Sequence, residues 1–277
     1  MRFYESGCKG TVKKRKCQIF LKKNALVYSF LCNFAAVITK TDAIVLHSFK
    51  YGETRMIVDM YTRSHGRQSF AVPLPKSAKG RMKKQFFQPL TLLAIETDVR
   101  PRLQLQKLAG AAILTPLPSV QTNPTKLSIT LFLSEFLYHA LKGEQQNEPL
   151  FDYVVNGLQW LDGAEGRVAN FHLVFVMRLA RFLGFYPNLE DYVPGCFFDL
   201  RASSFCVNAP VHRDFLQPQE AEKVQLMMRM DYANMHLFQL SHHDRGRLLE
   251  IALAYYRIHL PAFPELRSLG VLQEMWR

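Results

Sequence analysis

The hydrophobic period of the chain changes once, at Thr115-Pro116-Leu117-Pro118, and that change bounds the fold before anything else is considered. Upstream, apolar residues come in short β-prone runs closed by turn residues; downstream they recur every three or four positions. The runs are 43–49, 56–61, 68–72, 90–99 and 103–114. They are separated by Tyr51-Gly52-Glu53, Ser64-His65-Gly66, a cationic stretch from Pro73 to Lys84, and Arg100-Pro101-Arg102. Five short strands in so few residues predict a small barrel, because closure removes exposed sheet edges. The later spacing predicts helices over 126–141, 149–161, 168–183, 218–230 and 245–259, and hence a helical bundle. The expected fold class is α+β: an extension at 1–37, a β-barrel at 38–116 and a helical domain at 117–277.

The formal charge of +12 divides at nearly the same boundary. Residues 1–36 carry eight basic residues and one acid, residues 37–115 thirteen and five, and residues 116–277 fourteen and seventeen. All the positive excess therefore precedes residue 116, which points to a first half facing a polyanion and a second half facing other partners. Within the barrel segment Arg55, Arg63, Arg67, Lys76, Lys79, Arg81, Lys83, Lys84, Arg100 and Arg102 are the expected phosphate contacts. Phe49, Tyr51, Tyr61, Phe70, Phe86 and Phe87 are interleaved with them, and aromatic faces beside cations hold single-stranded nucleic acid by stacking its bases. Alternation in a barrel turns every second side chain inward, so Phe70 and one of Phe86 and Phe87 are expected in the core.

Catalytic signatures are missing. The chain has no GxxxxGK[ST] or GxGxxG phosphate loop, no HExxH and no GxSxG. His242-His243-Asp244 reads as a helix cap, and its carboxylates elsewhere are dispersed through the acidic half. The expectation is a binding protein, neither an enzyme nor a cofactor carrier. Five scattered cysteines (Cys8, Cys17, Cys32, Cys196, Cys206) form no secreted disulfide framework and fit a reducing cytosol. A cationic run followed by the apolar stretch 25–38 opens a different reading, a membrane-surface scaffold anchored by its N-terminus. At fourteen residues that stretch is shorter than a membrane-spanning helix requires.

Thr41-Asp42-Ala43-Ile44-Val45-Leu46, Tyr51-Gly52-Glu53, Thr62, Gly66 and Pro75-Lys76-Ser77 ahead of a basic segment resemble, in order, the N-terminal domain of the RecO recombination mediators. Leu133-Ser134-Glu135-Phe136-Leu137, Leu183-Gly184-Phe185-Tyr186-Pro187 and Phe263-Pro264-Glu265-Leu266-Arg267-Ser268-Leu269 continue the resemblance, which spans 38–277. It implies an OB-fold followed by a helical domain, and a cytoplasmic, nucleoid-associated DNA-repair function without turnover. Expected partners are single- and double-stranded DNA, RecR, the acidic C-terminal tail of single-stranded-DNA-binding protein (SSB) and, indirectly, RecA. For the SSB tail it points to Lys126, Arg178 and Arg181 as rim charges, and to Phe132 and Leu133 as pocket walls. Many family members bind zinc through four cysteines in the loop near 193–212. Here Asp199 stands where the second cysteine of a CxxC falls and Cys206 has no close partner, so the zinc site reads as lost, its loop held by Phe197, Phe198 and Phe205. The family begins a few residues before Thr39, so residues 1–36 read as a mis-assigned start or an extension.

Overall fold

Ala43-Ile44-Val45-Leu46 is apolar at four successive positions because this strand is covered on both sides, by the barrel interior and by helices. The computed structural model describes residues 38–73, 84–100 and 102–274. Strands β1 (Thr39–Tyr51), β2 (Arg55–Thr62), β3 (Gly66–Pro73), β4 (Leu92–Asp98) and β5 (Leu105–Thr115) close into a barrel of order β1-β2-β3-β5-β4. All neighbours are antiparallel except β3 and β5. The long β1 serves two partners: Thr39 to Ile44 pair with β4, and Ala43 to Tyr51 with β2. A bulge between Val45 and His47 makes the bend that this double duty requires.

Two cores meet at that bend. Inside the barrel lie Ala43, Val45, Val58, Met60, Phe70, Val72, Leu93 and Ile95, plugged by Phe87 from a short 3-10 turn over Lys84–Phe87. Ser48 Oγ donates to the Phe87 carbonyl at 2.8 Å and seats the plug. Ile44, Leu46, Tyr61 and Leu92 point outward instead and join the helical core. The Tyr61 ring stacks on Phe151 at 6.2 Å, and Ser134 Oγ donates to the Leu46 carbonyl at 2.6 Å. Barrel and helices thus fold as one unit over Thr39–Arg277.

The helices are α1 (Pro118–Thr122), α2 (Pro124–Ala140), α3 (Glu148–Gly163), α4 (Phe171–Leu179), α5 (Pro218–Arg229), α6 (His242–His259) and α7 (Ser268–Glu274). Their starts are chemically marked. Asn123 accepts from the amides of Thr125 and Lys126, Asn147 from that of Leu150, and Ser241 from that of Asp244. The Asp244 carboxylate accepts from the Ser241 hydroxyl in return, so His242-His243-Asp244 is a helix cap. Helix α4 stops at Leu179, short of the expected Leu183. Gly184 takes φ +86°, and the Phe185 amide donates back to the Ala180 carbonyl at 3.1 Å, which closes the end with a left-handed cap.

The stretch read as a loop near 193–212 contains two strands, β6 (Phe197–Asp199) and β7 (Ser204–Cys206), which with β8 (Phe215–Leu216) just beyond it form a three-stranded sheet of order β7-β6-β8. Strands of two or three residues are too short to show alternation. The helices α1 and α7 were likewise unforeseen, being five and seven residues long.

Candidate nucleic-acid interface

The β1–β2 turn and the β4–β5 turn frame the outer face of β2 and β3, the part of an OB barrel that holds extended ligands. Arg55 pairs with Tyr51 on one side and Pro73 on the other, so it stands where the chain leaves the barrel into residues 74–83. The chain is described again from Lys84, which is exposed. Lys76, Lys79, Arg81 and Lys83 themselves lie outside the described residues. Arg100 and Arg102 occupy the β4–β5 turn, both exposed. That turn is held open by Gln106, whose side chain accepts from the Arg100 amide at 2.9 Å and donates to the carbonyls of Arg100 and Leu103 at 3.0 and 2.6 Å. Arg100 also pairs with Asp98 at 2.9 Å, leaving part of its guanidinium free to solvent.

Arg63 and Arg67 do not belong to this face. Arg63 donates to Asp42 at 3.3 Å and Asp152 at 2.7 Å, with its guanidinium 4.5 Å from the centre of the Phe151 ring. Arg67 donates to the Tyr138 carbonyl at 2.7 Å, lies 3.7 Å from Asp59 and stacks 4.5 Å from the centre of the Tyr138 ring. Both pin the barrel to the helices through guanidinium nitrogens committed to acceptors within the fold. Of the aromatics, Tyr61, Phe70 and Phe87 are buried and Phe86 is half-buried; Phe49 and Tyr51 are exposed.

The residues expected to receive an acidic tail are mostly interior. Lys126 is 3% exposed, and its ammonium donates to Ser119 Oγ at 2.6 Å and to the carbonyls of Asp162 and Ala164 at 2.9 and 2.6 Å. It is a structural cross-link between α1, α2 and the end of α3, not a rim charge. Phe132 and Leu133 have no exposed surface and belong to the central core. Arg178 is half-buried, its guanidinium donating to the Met230 carbonyl at 3.0 Å, while Arg181 alone of the five is exposed. Replacing Lys126 with Met is expected to cost about 2 kcal/mol, since three acceptors lose a charged donor. A fall in the urea midpoint with DNA affinity unchanged is the expected result.

A groove of about 720 Å³ between β1, α2 and α7 offers what those residues do not. Leu131 and Val271, both exposed, are apolar walls, and His139 and Arg267 line the same space. Glu135 is held away from this role: its carboxylate accepts from the amides of Arg267 and Ser268 at 3.0 and 2.7 Å and from the Ser268 hydroxyl at 2.5 Å. Partial burial works against its charge, but those three donors outweigh it and hold the carboxyl below its usual range.

The zinc that the resemblance implies does not fit the loop. Asp199 accepts from the amides of Arg201 and Ala202 at 2.8 and 3.0 Å and from His212 Nε2 at 3.2 Å. Burial raises its carboxyl and these donors lower it further, so that it lies below the usual range. Cys196 is buried, Cys206 Sγ sits 3.9 Å from the Phe197 carbonyl, and no group of three metal-ligating side chains occurs among the described residues. Phe198 packs edge-on against Phe205 at 4.9 Å, and Phe197 against Phe215 at 5.6 Å. The Asp199–His212 hydrogen bond and aromatic packing hold this stretch together.

A closed OB-type barrel continuous with a helical body defines the structural class. The first 117 residues of the chain include a match, over 37–117, to the family model described as Recombination protein O N terminal, and 121–269 match the one described as Recombination protein O C terminal. The chain is 48% identical over 240 residues to the DNA repair protein RecO of Phocaeicola vulgatus, covering 87% of this chain and 100% of that one. It is 46% identical to the DNA repair protein RecO of Bacteroides fragilis over 241 residues, with the same coverage, and 32% identical to that of Porphyromonas gingivalis over 239 residues, 84% of this chain and 97% of that one. It belongs to the RecO family of DNA repair and recombination proteins. No helix among the described residues is long and apolar enough to cross a membrane, and residues 25–37 of the apolar N-terminal stretch lie outside them.

Proposed function

We propose that the chain is a DNA-binding recombination mediator that anneals complementary single strands and, with RecR, helps load RecA onto SSB-coated single-stranded DNA. The observation that carries this reading is the charge contrast: thirteen basic residues against five acids over 37–115, and fourteen against seventeen over 116–277. Of those thirteen, Arg55, Lys84, Arg100 and Arg102 are exposed at or beside the barrel turns. Cations that neutralise phosphates on both strands lower the repulsion opposing their pairing, so binding and annealing follow from one surface without turnover. The acidic, apolar SSB tail is assigned to the groove walled by Leu131 and Val271, whose chemistry suits it better than Lys126, Phe132 or Leu133.

The deciding measurement is the rate at which complementary strands coated with SSB anneal when the protein is added. Acceleration that fades as salt is raised is expected. A rate equal to the protein-free control rejects the reading.

A further inference from the structure

Alternate residues of a strand share a face, and β1 turns His47, Phe49 and Tyr51 to the same outward side, opposite Asp59, Ile57 and Arg55 of β2. All three are exposed, Phe49 by 42% and Tyr51 by 60%. The row is not loose. The His47 ring lies 5.7 Å from Phe49 and 4.9 Å from Tyr138 on α2. Tyr138 is fixed in turn by the Arg67 guanidinium against its ring and by His139 edge-on at 4.9 Å. Cations border the row: Arg55, paired with Tyr51, is exposed on the same face, and the register Phe49–Ile57–Ala71–Lys107 brings an exposed lysine across the sheet.

We propose that Tyr51, Phe49 and His47 form a base-stacking track that makes the barrel prefer single-stranded over double-stranded DNA. Side chains at alternate strand positions are about 6.8 Å apart. That is roughly twice the 3.4 Å step between bases along one strand of a duplex. Duplex bases are stacked and paired and offer these rings no face, whereas an extended single strand lays unstacked bases on them while its phosphates meet the flanking cations. Arg67 and Tyr138 are positioning residues, since Tyr138 touches His47 at the end of the row and Arg67 holds Tyr138. Charge alone attracts both forms of DNA; the rings supply the preference.

This inference rests on the DNA-binding reading, and its test separates the two. Phe49→Ala with Tyr51→Ala is expected to weaken binding to an oligothymidine at least about tenfold while leaving duplex affinity within about twofold. The thermal melt should match that of the unaltered protein, because neither ring is in the core. Phe49→Trp is expected to keep oligothymidine affinity, with indole emission quenched by oligothymidine and not by duplex. Equal losses on both forms, or an unchanged single-strand affinity, overturn the track. If the unaltered protein binds neither form, the DNA-binding reading fails and the track with it.

Discussion

Replacing Lys79, Arg81 and Lys83 together with glutamate is expected to weaken oligothymidine binding about 100-fold near 0.1 M salt. Each phosphate neutralised on a single strand contributes about 0.7 to the slope of log affinity against log salt, so losing three flattens it by about 2. These residues lie between two fixed points. The chain leaves the barrel at Pro73, opposite Arg55, and the described structure resumes at Lys84, whose short turn is tied to β1 through Ser48 and Phe87. Whatever path the intervening residues take starts and ends beside the exposed cations of the barrel turns. Unlike the loss of Phe49 and Tyr51, this change should weaken duplex binding as well, because phosphates are common to both forms. Binding of an SSB tail peptide should be unaffected, since the groove walled by Leu131 and Val271 is built from β1, α2 and α7. Affinity titrations at several salt concentrations read both quantities; a salt slope unchanged by the triple substitution would remove these residues from the interface.

The change of period at Thr115 to Pro118 carried most of the architecture, because periodicity reports which face of an element is buried. It does not report what buries it. Arg63 sits in the β2–β3 turn and Arg67 on an outward position of β3, so both read as solvent-facing cations, yet α3 covers the first and α2 the second. Helix α2 misled for a related reason: buried between the barrel, α1 and α7, it keeps few exposed positions, so Phe132 and Leu133 resemble a pocket wall in sequence while lying in the core. A signal for Lys126 was present. A lysine one turn into a helix opposes the positive end of the helix dipole, so it is better explained by specific acceptors than by solvation, and Ser119 and the end of α3 provide them. The network around Asp199 was half legible: its mismatch with a CxxC is visible in sequence, but its hydrogen bond with His212 needs the fold of β6 to β8.

Gly66→Ala is expected to destabilise the protein by about 3–5 kcal/mol, the sum of a left-handed backbone penalty of roughly 1–2 kcal/mol and a forced separation of packed elements. Gly66 takes φ +63° in the turn between β2 and β3, and a Cβ there would lie 2.4 Å from the backbone carbon of Gln145 and 2.5 Å from the Glu144 carbonyl oxygen. Neither obstacle is a side chain that can swing aside. The turn is bound to the same segment on both flanks: the Arg67 amide donates to the Glu144 carbonyl at 2.9 Å and the Tyr61 hydroxyl to the Gln145 carbonyl at 3.1 Å. Burial, aided by Glu144, pushes the Tyr61 phenol up to about 12, so it remains a donor throughout the working pH range. An added methyl group therefore opposes two hydrogen bonds, the Arg67 clamp on Tyr138 and the stacking of Tyr61 on Phe151 at once. Gly52→Ala supplies the comparison. Gly52 has nearly the same backbone, φ +67°, but nothing lies within 4 Å of its would-be Cβ. It should cost only the backbone penalty, about 1 kcal/mol. With about 2–4 °C of melting temperature per kcal/mol at this chain length, Gly66→Ala should melt roughly 10 °C below the unaltered protein and Gly52→Ala only a few degrees below it. Equal shifts for the two would mean that backbone conformation alone sets the cost, and that the close approach of the turn to Glu144 and Gln145 does not join the barrel to the helices.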